Sequence, residues 1–463
     1  MRKFIIIILS AVAFAIIYFE LPSSVPYEAK MTIAITTGAI ILWVFEPIPF
    51  SLTAILVLFL LPVTGSVSFE TALSGFASPA IFLIVAGMML AKGVESTSLG
   101  ERLAYFLLYH LGHKKGGVLA GIILVPQLMA FFIPAAAVRT TMVLPITFSI
   151  VSILGLTREN PMTKQLMLGL TYGATISGTA IIPAAIGNVI TVELINYYLG
   201  KQVTYLDWLI IGFPLWLFMI PITWYVLYKS FPVESDSFPD MREKIGDLIK
   251  EMGPLNKNEM KAIFILVFVF LLWTMESIHG WPPAIPALMG AVLMGLPKIG
   301  IVNWNEMLEV KFGTLLLLAI TLSLGKALYE TGAVDSISNW VKTDVTLFLF
   351  SSPAISVLTV SVFTQFLHKV TSNVSTAVLT VVPIVLAIGA QVGAPVMLLG
   401  VVAGITSLFG FLFVVETIPG VIVCGTGFLS QKDFFKPGVW LTLASIIVTY
   451  LLAITWWNWL GYV

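Results

Sequence analysis

Long apolar segments recur along the whole chain, and this feature limits the possible folds more than any other. A bilayer core about 30 Å thick requires about 20 apolar residues for each helical crossing. Segments of this kind begin near residues 4 and 31 and recur until the last one, which begins near residue 439. Because some segments are too short or too interrupted to cross, we predict about 11 transmembrane helices and two re-entrant hairpins that protein must bury. The predicted fold class is therefore an all-α polytopic membrane protein.

The composition excludes several other classes of protein. Of the 463 residues, 58% are hydrophobic and 10% are charged, whereas a soluble domain carries about 25% charged residues. Lys and Arg total 24, as do Asp and Glu, so the chain has no excess of positive charge for a nucleic acid. We therefore expect the lipid bilayer and a small solute as partners, and no nucleic acid.

The distribution of basic residues predicts the orientation in the membrane. The first segment follows Arg2 and Lys3, a pattern that a cleaved signal peptide would share, but the many later spans favour a retained helix. Basic residues then concentrate in the loops that lie inside, at 110–117, 156–164, 229–261, 297–311 and 431–436. This bias predicts a multi-pass protein of the plasma (inner) membrane with its N-terminus in the cytoplasm and its C-terminus outside.

A polar stretch at residues 229–260 divides the chain, and we interpret it as a cytoplasmic linker rather than a domain. The sequence repeats weakly on either side of it. For example, GATISGTAIIPAAIGNVI in the first half resembles GITSLFGFLFVVETIPGVI in the second. We therefore predict a first helix and outer loop over 1–30, a first repeat over 31–228 and a second repeat over 261–463.

Each predicted repeat contains a hairpin and a broken helix. The hairpins cover about 117–155 and 352–390, and the broken helices cover about 164–198 and 394–424. If each repeat crosses the membrane an odd number of times, the second copy is inverted relative to the first. Inverted repeats with discontinuous helices are typical of secondary transporters, whose sites lie near the bilayer midplane. A broken helix directs N–H groups at anions and carbonyl groups at cations.

The tip of the second hairpin carries the densest polar patch inside an apolar segment, made of Ser372, Asn373, Ser375 and Thr376. Hydroxyl and amide donors suit a carboxylate or sulfate, and their oxygens suit a small cation. The alternative is that these side chains only satisfy backbone groups of a turn. We favour substrate binding by all four residues, with cation binding by Ser372 and Asn373, because a related pattern occurs at the equivalent place in the first repeat.

Arg139 lies between apolar residues of the first hairpin, with no carboxylate nearby in the sequence. An arginine inside the membrane costs about 2.5–3.5 kcal/mol on insertion scales, so it indicates a functional site. Its planar fork suits a carboxylate or sulfate, and we predict that Arg139 and the adjacent Thr140 bind the substrate. The alternative is a structural ion pair with Glu416.

The second broken helix contains Glu416, where a small or apolar residue would be expected. Glu416 could bind a cation, carry a proton or pair with Arg139, and the sequence leaves these three roles open. We group it with Gly410 as cation-binding and assign the following residue, Thr417, to the substrate. The dipeptide at 368–369, His-Lys, either adds positive charge to this mouth or snorkels toward the interface.

Four stretches of the chain resemble the divalent anion:sodium symporter family, which contains di- and tricarboxylate and sulfate carriers. They are WVFEPIPFSLTAILVLFLLPVTG (43–65), GFASPAIFLIVAGMMLAKGVESTSLG (75–100), TSNVSTAVLTVVPI (371–384) and VIVCGTGFLSQKDFFKPG (421–438). The resemblance implies a fold with two re-entrant hairpins, a homodimer held by scaffold helices, and elevator-type transport.

The same resemblance implies Ser-Asn-Thr at both hairpin tips and Thr-Pro-Pro-Asn at both broken helices. The second tip keeps Ser372 and Asn373, but the first reads Ala-Ala-Ala at 135–137. The first broken helix keeps Asn188, which we assign to the substrate, and the second keeps Thr417 but not the asparagine. Three alanines offer no side-chain oxygen to sodium.

The guanidinium of Arg139 would also repel a cation, by about 4 kcal/mol at ~4 Å and an effective dielectric constant of about 20. At most one sodium site should therefore remain, near Glu416. No organic cofactor is expected, and sodium is the one ion for which a site is foreseen. These departures suit an anion exchanger or a proton-linked carrier better than a two-sodium symporter.

The function predicted from sequence is secondary active transport of small divalent anions, of the dicarboxylate or sulfate class, coupled to sodium, to protons or to a second anion. An alternative is another activity of the wider ion-transporter superfamily, such as arsenite, sodium/proton or metal–citrate transport. An intramembrane enzyme would need a nucleophile–base or metal constellation, and none of the usual catalytic motifs occurs. A channel would need a continuous polar stripe, whereas the polar residues concentrate at two tips.

Overall fold

The computed structural model describes residues 2–114, 116–200, 202–233, 238, 240–341, 343–369, 371 and 374–462. Throughout these ranges the regular structure is helical, without a β-strand. The helices of the first half are α1 (Arg2–Glu20), α2 (Tyr27–Phe45), α3 (Phe50–Val63), α4 (Phe69–Leu73), α5 (Pro79–Glu95), α6 (Leu99–Leu111), α7 (Gly117–Met129), α8 (Ala136–Ile153), α9 (Pro161–Ile176), α10 (Ile186–Leu199) and α11 (Tyr205–Ser230). Short 3₁₀ turns lie at Ser74–Ala77 and Ile182–Ala184.

The second half begins after a helix of the polar stretch, α12. From this helix onward the helices are α12 (Met241–Met252), α13 (Lys257–Thr274), α14 (Glu276–His279), α15 (Ala284–Gly295), α16 (Trp304–Met307), α17 (Phe312–Glu330), α18 (Ala333–Val341), α19 (Asp344–Leu349), α20 (Pro353–His368), α21 (Val374–Val392), α22 (Val396–Thr406), α23 (Ile418–Gly425), α24 (Gln431–Ile454) and α25 (Trp456–Trp459). A 3₁₀ turn at Val414–Glu416 separates α22 from α23.

The apolar helices confirm the predicted polytopic membrane fold. Within the described ranges, seven helices are long and apolar enough to cross a membrane, or eight if the bent pair Phe69–Ala77 and Pro79–Glu95 is one span. Helices α3, α7, α15, α20 and α22 are apolar but shorter. The predicted total of about 11 crossings depends on how these shorter helices lie in the bilayer, and it stays a prediction.

The two halves contain a hairpin, an interrupted helix and a capped helix in the same order. Helices α7 and α8 form a hairpin, as do α20 and α21, and each hairpin precedes a helix that a 3₁₀ turn interrupts. Helices α11 and α24 both begin with a capping box, in which Thr204 and Asp207, or Ser430 and Asp433, satisfy each other's backbone N–H groups. Both halves thus contain a hairpin followed by an interrupted helix, and the division into two inverted repeats stays a prediction.

Packing crosses between the halves. Helix α10 of the first half packs against α21 and α22, whereas α23 of the second half packs against α8 and α9. Gly187, in the first turn of α10, shows how close this approach is. A Cβ atom at this position would lie 2.9 Å from Cγ1 of Val374 at the start of α21. The broken helix of each half therefore meets the hairpin of the other.

The polar stretch between the halves contains helix α12, which the interpretation as a plain linker did not include. Met241 and Ile245 of α12 are buried where the helix packs against α6. Arg102 of α6 donates hydrogen bonds to the carbonyl oxygens of residues 252, 253 and 254, which close the C-terminus of α12. Arg102 also pairs with the buried Glu259 at 2.8 Å. This connection is docked on the helical body because an arginine satisfies the carbonyl groups at its helix end.

Candidate functional site

Arg139 joins the first hairpin tip to the first broken helix. Its Nε donates to Oγ of Ser177 at 3.1 Å, its Nη2 donates to the carbonyl oxygen of Ala184 at 3.1 Å, and its Nη1 donates to the carbonyl oxygen of Ile133. The side chain is fully buried, and none of the ion pairs in the described part of the chain includes it. The guanidinium therefore braces two discontinuities, and neutral oxygens alone receive these three bonds.

The backbone at the first tip is held in an uncommon conformation. Ala135 has φ 69° and ψ 116°, a sparsely populated combination that costs a non-glycine residue about 1–3 kcal/mol. The preceding Pro134 lies against α5, where a Cβ atom on Gly87 would come within 2.7 Å of its Cγ. Residues 135–137 are half-buried, so their methyl groups and backbone form the accessible surface of this tip. The local turn is supported by packing and by Arg139 rather than by tip hydroxyl groups.

Asn188 holds the first broken helix together from within. Its Nδ2 donates to the carbonyl oxygens of Gly178 at 2.6 Å and Ile181 at 2.9 Å. The side chain is fully buried, and its Oδ1 has no hydrogen-bond partner in the described part of the chain. A buried carbonyl oxygen without a donor is costly, so Oδ1 marks a place where a further polar group would be stabilised.

Glu416 lies at the centre of the second break, which is the interruption between α22 and α23. Its Oε2 lies 3.0 Å from Nζ of Lys369 and accepts a hydrogen bond from the N–H of Leu412 at 3.1 Å. His368 donates from Nε2 to the backbone oxygen of Glu416 at 2.9 Å. Glu416 is 1% exposed and the Lys369 side chain is 14% exposed. The ion partner of Glu416 is therefore Lys369, at the end of the preceding hairpin helix, and not Arg139.

Gly410 and Thr417 fit tightly around this carboxylate. A Cβ atom on Gly410 would lie 2.6 Å from Cβ of Glu416 and 2.8 Å from Cγ2 of Thr417, so only glycine fits there. Thr417 is the N-cap of α23, and its hydroxyl accepts from the N–H of Gly420. Tyr172 of α9 supports the same turn, because its hydroxyl donates to the backbone oxygen of Phe411 at 3.0 Å. The break is thus held by both halves of the molecule.

The remaining predicted site residues lie on the elements that meet here. Thr140 is buried and donates to the backbone oxygen of Ala136, within its own helix. Ser375 and Thr376 are buried in the first turn of α21. The predicted residues Ser372 and Asn373 lie outside the described residues. The structure brings together the helices that carry Arg139, Asn188, Thr376 and Thr417, and whether these side chains contact substrate stays a prediction.

Lys369 is the residue whose role the sequence did not settle. From the sequence, His368 and Lys369 could add charge beside the hairpin tip or extend toward the membrane interface. The structure shows a third arrangement, in which the nearly buried ammonium of Lys369 pairs with a buried carboxylate. Ser177 was missed entirely, because a serine near a helix end is common and carries no sequence signal of its own. Both contacts depend on how a hairpin packs against a break.

A cavity of about 680 Å³ lies between α5, α10 and α14 and borders the first break at Ile182. Its charged lining consists of Glu193 and Glu276. The Glu193 carboxylate is held by Ser78 and the backbone of Ala80, and Glu276 accepts from the N–H of Tyr205 at 2.7 Å. Burial raises the pKa of Glu276, the first residue of the short helix α14 between α13 and α15. The described residues of the lining offer a dianion no cationic side chain, so we place the candidate site at the two breaks rather than in this cavity.

Comparison with known proteins identifies the class of protein. Residues 2–463 match the family model described as the sodium:sulfate symporter transmembrane region. A sodium-dependent dicarboxylate transporter, SdcS, of Staphylococcus saprophyticus is 26% identical over 454 residues, which cover 93% of this chain and 86% of the relative. A membrane protein of Cupriavidus necator is 24% identical over 461 residues, which cover 96% of this chain and 90% of that protein.

Proposed function

Because the chain belongs to the sodium:sulfate symporter family and is a secondary transporter of small anions, we propose that it carries dicarboxylates across the plasma membrane. The observation that carries this proposal is the mutual packing of the two breaks, in which α10 meets the second hairpin and α23 meets the first. The name of the staphylococcal relative supports the choice of dicarboxylates. Transport rather than catalysis is the activity that we assign.

Two kinds of group attract the anion. Helix α8 begins at the first hairpin tip and α10 begins at the first break, and a helix N-terminus carries about half a positive charge. Three of the five N–H groups of Arg139 donate to protein oxygens. In the described residues, no carboxylate forms an ion pair with its guanidinium. We assign Arg139, Thr140, Asn188, Ser372, Asn373, Ser375, Thr376 and Thr417 to the surroundings of the substrate.

The proposed orientation places the N-terminus in the cytoplasm and the C-terminus outside, in a homodimer. Helix α10 then ends toward the outside. Its residue Tyr198 bonds it to α17 by donating to the backbone oxygen of Gly325 at 3.1 Å. Helix α23 ends toward the cytoplasm, and its residues Ile418 and Val421 are 61% and 49% exposed. In this orientation α10 and α23 point toward opposite sides of the membrane, as the equivalent helices of inverted repeats do in carriers that work by alternating access.

Counterflow in proteoliposomes tests the proposal. Vesicles loaded with unlabelled succinate should accumulate labelled succinate transiently, and the initial rate should saturate with substrate. A thermal-shift screen against succinate, malate, citrate, 2-oxoglutarate and sulfate would identify the preferred anion, because a ligand that binds only the folded state raises its stability. Flux that does not saturate and shows no counterflow would contradict a carrier.

A further inference from the structure

In each of the two breaks, the last residue of the 3₁₀ turn contacts a positively charged side chain. The 3₁₀ turns Ile182–Ala184 and Val414–Glu416 each precede the second part of a broken helix, and the next residue is an N-cap with extended backbone in both. The last residue of the first turn, Ala184, accepts from the guanidinium of Arg139. The last residue of the second turn, Glu416, binds the ammonium of Lys369. Each break thus directs an oxygen at a cation that belongs to the chain.

We infer that Arg139 and Lys369 take the places of coupled sodium ions, so that the transporter exchanges anions without sodium. This inference rests on the proposed transport of dicarboxylates and specifies its coupling. The sequence allowed either a single sodium site near Glu416 or transport without sodium. This inference predicts that sodium does not stimulate transport.

The oxygens at the first break are of the kind that bind sodium, but they are already engaged. The backbone oxygens of Ile133 and Ala184 converge on the guanidinium from two different segments. Alkali and alkaline-earth cations in proteins take oxygen ligands, and carbonyl groups at a helix break are a usual source of them. Alanines at 135–137 add no side-chain oxygen. A sodium ion at this place would have to displace a buried arginine side chain.

The second break has the stronger ligand, and Lys369 engages it. A carboxylate buried to 1% exposure needs a nearby cation, and Nζ of Lys369 lies 3.0 Å from Oε2. Among the ion pairs of the described residues, Lys369 is the one cation that Glu416 meets. A sodium ion beside it would meet the repulsion of a like charge with little solvent to screen it.

Cations that are side chains cannot dissociate, and this determines the transport cycle. With Arg139 and Lys369 charged and Glu416 ionised, these three groups carry one net positive charge when no substrate is bound. Moving that charge through a region of low dielectric constant is unfavourable, and a bound anion offsets it. The loaded site should therefore cross more readily than the empty one, which makes the return step dependent on a second anion.

The direct test compares counterflow in sodium chloride and in choline chloride on both sides of the vesicle. Wild-type protein should exchange labelled succinate for unlabelled succinate at the same rate in both media, and efflux should slow when no counter-anion is present. A decrease of about tenfold or more on removing sodium would overturn the inference and leave the proposed transport intact. Absence of counterflow in both media would overturn the proposed function and the inference together.

A gain-of-dependence variant sharpens this test. Lys369→Ala leaves the Glu416 carboxylate without its cation, so sodium should now stimulate exchange and raise the thermal unfolding midpoint. In the variant that also carries Glu416→Gln, both sodium effects should disappear. Lys250→Ala is the matched control, because Lys250 also lies beside an acidic residue, Asp247, but on the surface of α12. Lys369→Ala protein that folds and stays indifferent to sodium would contradict the inference, and if this variant fails to fold, the wild-type comparison still decides.

Discussion

The two breaks share one backbone design and differ in how charge is treated. At the first, a guanidinium with no acidic partner in the described ion pairs is held by Ser177 and two carbonyl oxygens. At the second, an ammonium meets a buried carboxylate, and His368 supports the same residue through its backbone. Equivalent geometry can thus be stabilised either by an uncompensated charge with neutral ligands or by an ion pair. The first arrangement leaves its positive charge available to an anion, and the second leaves none.

Removing the uncompensated charge should have the largest effect. Arg139→Met deprives the oxygens of Ile133 and Ala184 of their donor, so we expect a loss of about 3 kcal/mol in stability and roughly 100-fold in exchange rate. Thermal unfolding in detergent and counterflow measure the two losses.

Two further variants test the reason for this loss. Arg139→Lys keeps the charge without the planar fork, so it should recover only part of the activity. A second change at Glu416 should not rescue Arg139→Met, because Glu416 pairs with Lys369. Full exchange by Arg139→Met would show that the first break does not need this cation.

Breaking the ion pair should have a smaller effect that is not additive. Lys369→Met and Glu416→Gln should each lower the unfolding midpoint, and the double variant should lose less than the two together. We expect an interaction of about 2 kcal/mol, because either single change leaves a buried group unpaired. The exposed pair Lys250 and Asp247 serves as the control cycle and should show no measurable interaction. Strict additivity at 369 and 416 would mean that the pair contributes nothing to folding.

A substitution that crowds the contact between the halves should lower stability by less than the loss of the ion pair. Gly187→Ala places a methyl group 2.9 Å from Val374 Cγ1, a branched side chain that cannot move away freely. We expect a destabilisation of about 1–2 kcal/mol and a slower exchange rate. Gly425→Ala is the control at the end of α23, where a Cβ atom would meet open space. Equal behaviour of the two variants would argue against close packing between α10 and the second hairpin.

The smallest expected effect concerns the support of the second break by α9. Tyr172→Phe removes the hydroxyl that donates to the backbone oxygens of Phe411 and Phe434 and should cost about 1 kcal/mol. Tyr198→Phe, which removes the bond to Gly325, is the corresponding change at the first broken helix. The first should lower stability, whereas the second should mainly favour opening to the outside. The unfolding midpoint and the accessibility of a cysteine introduced in the outer loop separate these outcomes.

Much of the fold follows from local features of the sequence. Apolar segments must be helical in a bilayer, because no water satisfies backbone groups there. The breaks were visible as small, hydroxyl, glycine and proline residues at 173–190 and 404–422 inside apolar surroundings. Arg139 stood out for the same reason, since an isolated charge in such a segment is unfavourable without a partner. Helix α12 was missed because its amphipathic pattern covers few turns and its docking depends on Arg102.

The sequence by itself determined that this chain is a helical membrane transporter with two interrupted helices and an unusual buried arginine. Only the tertiary structure decided which groups surround each charge. Lys369 and Glu416 are 47 positions apart, and Arg139 and Ala184 are 45 apart. Helical periodicity and membrane hydropathy constrain neighbours within a few turns, whereas these contacts arise where a hairpin packs against a break. The partner of a buried charge is thus a property of how hairpin and break pack together within a half, and not of either segment alone.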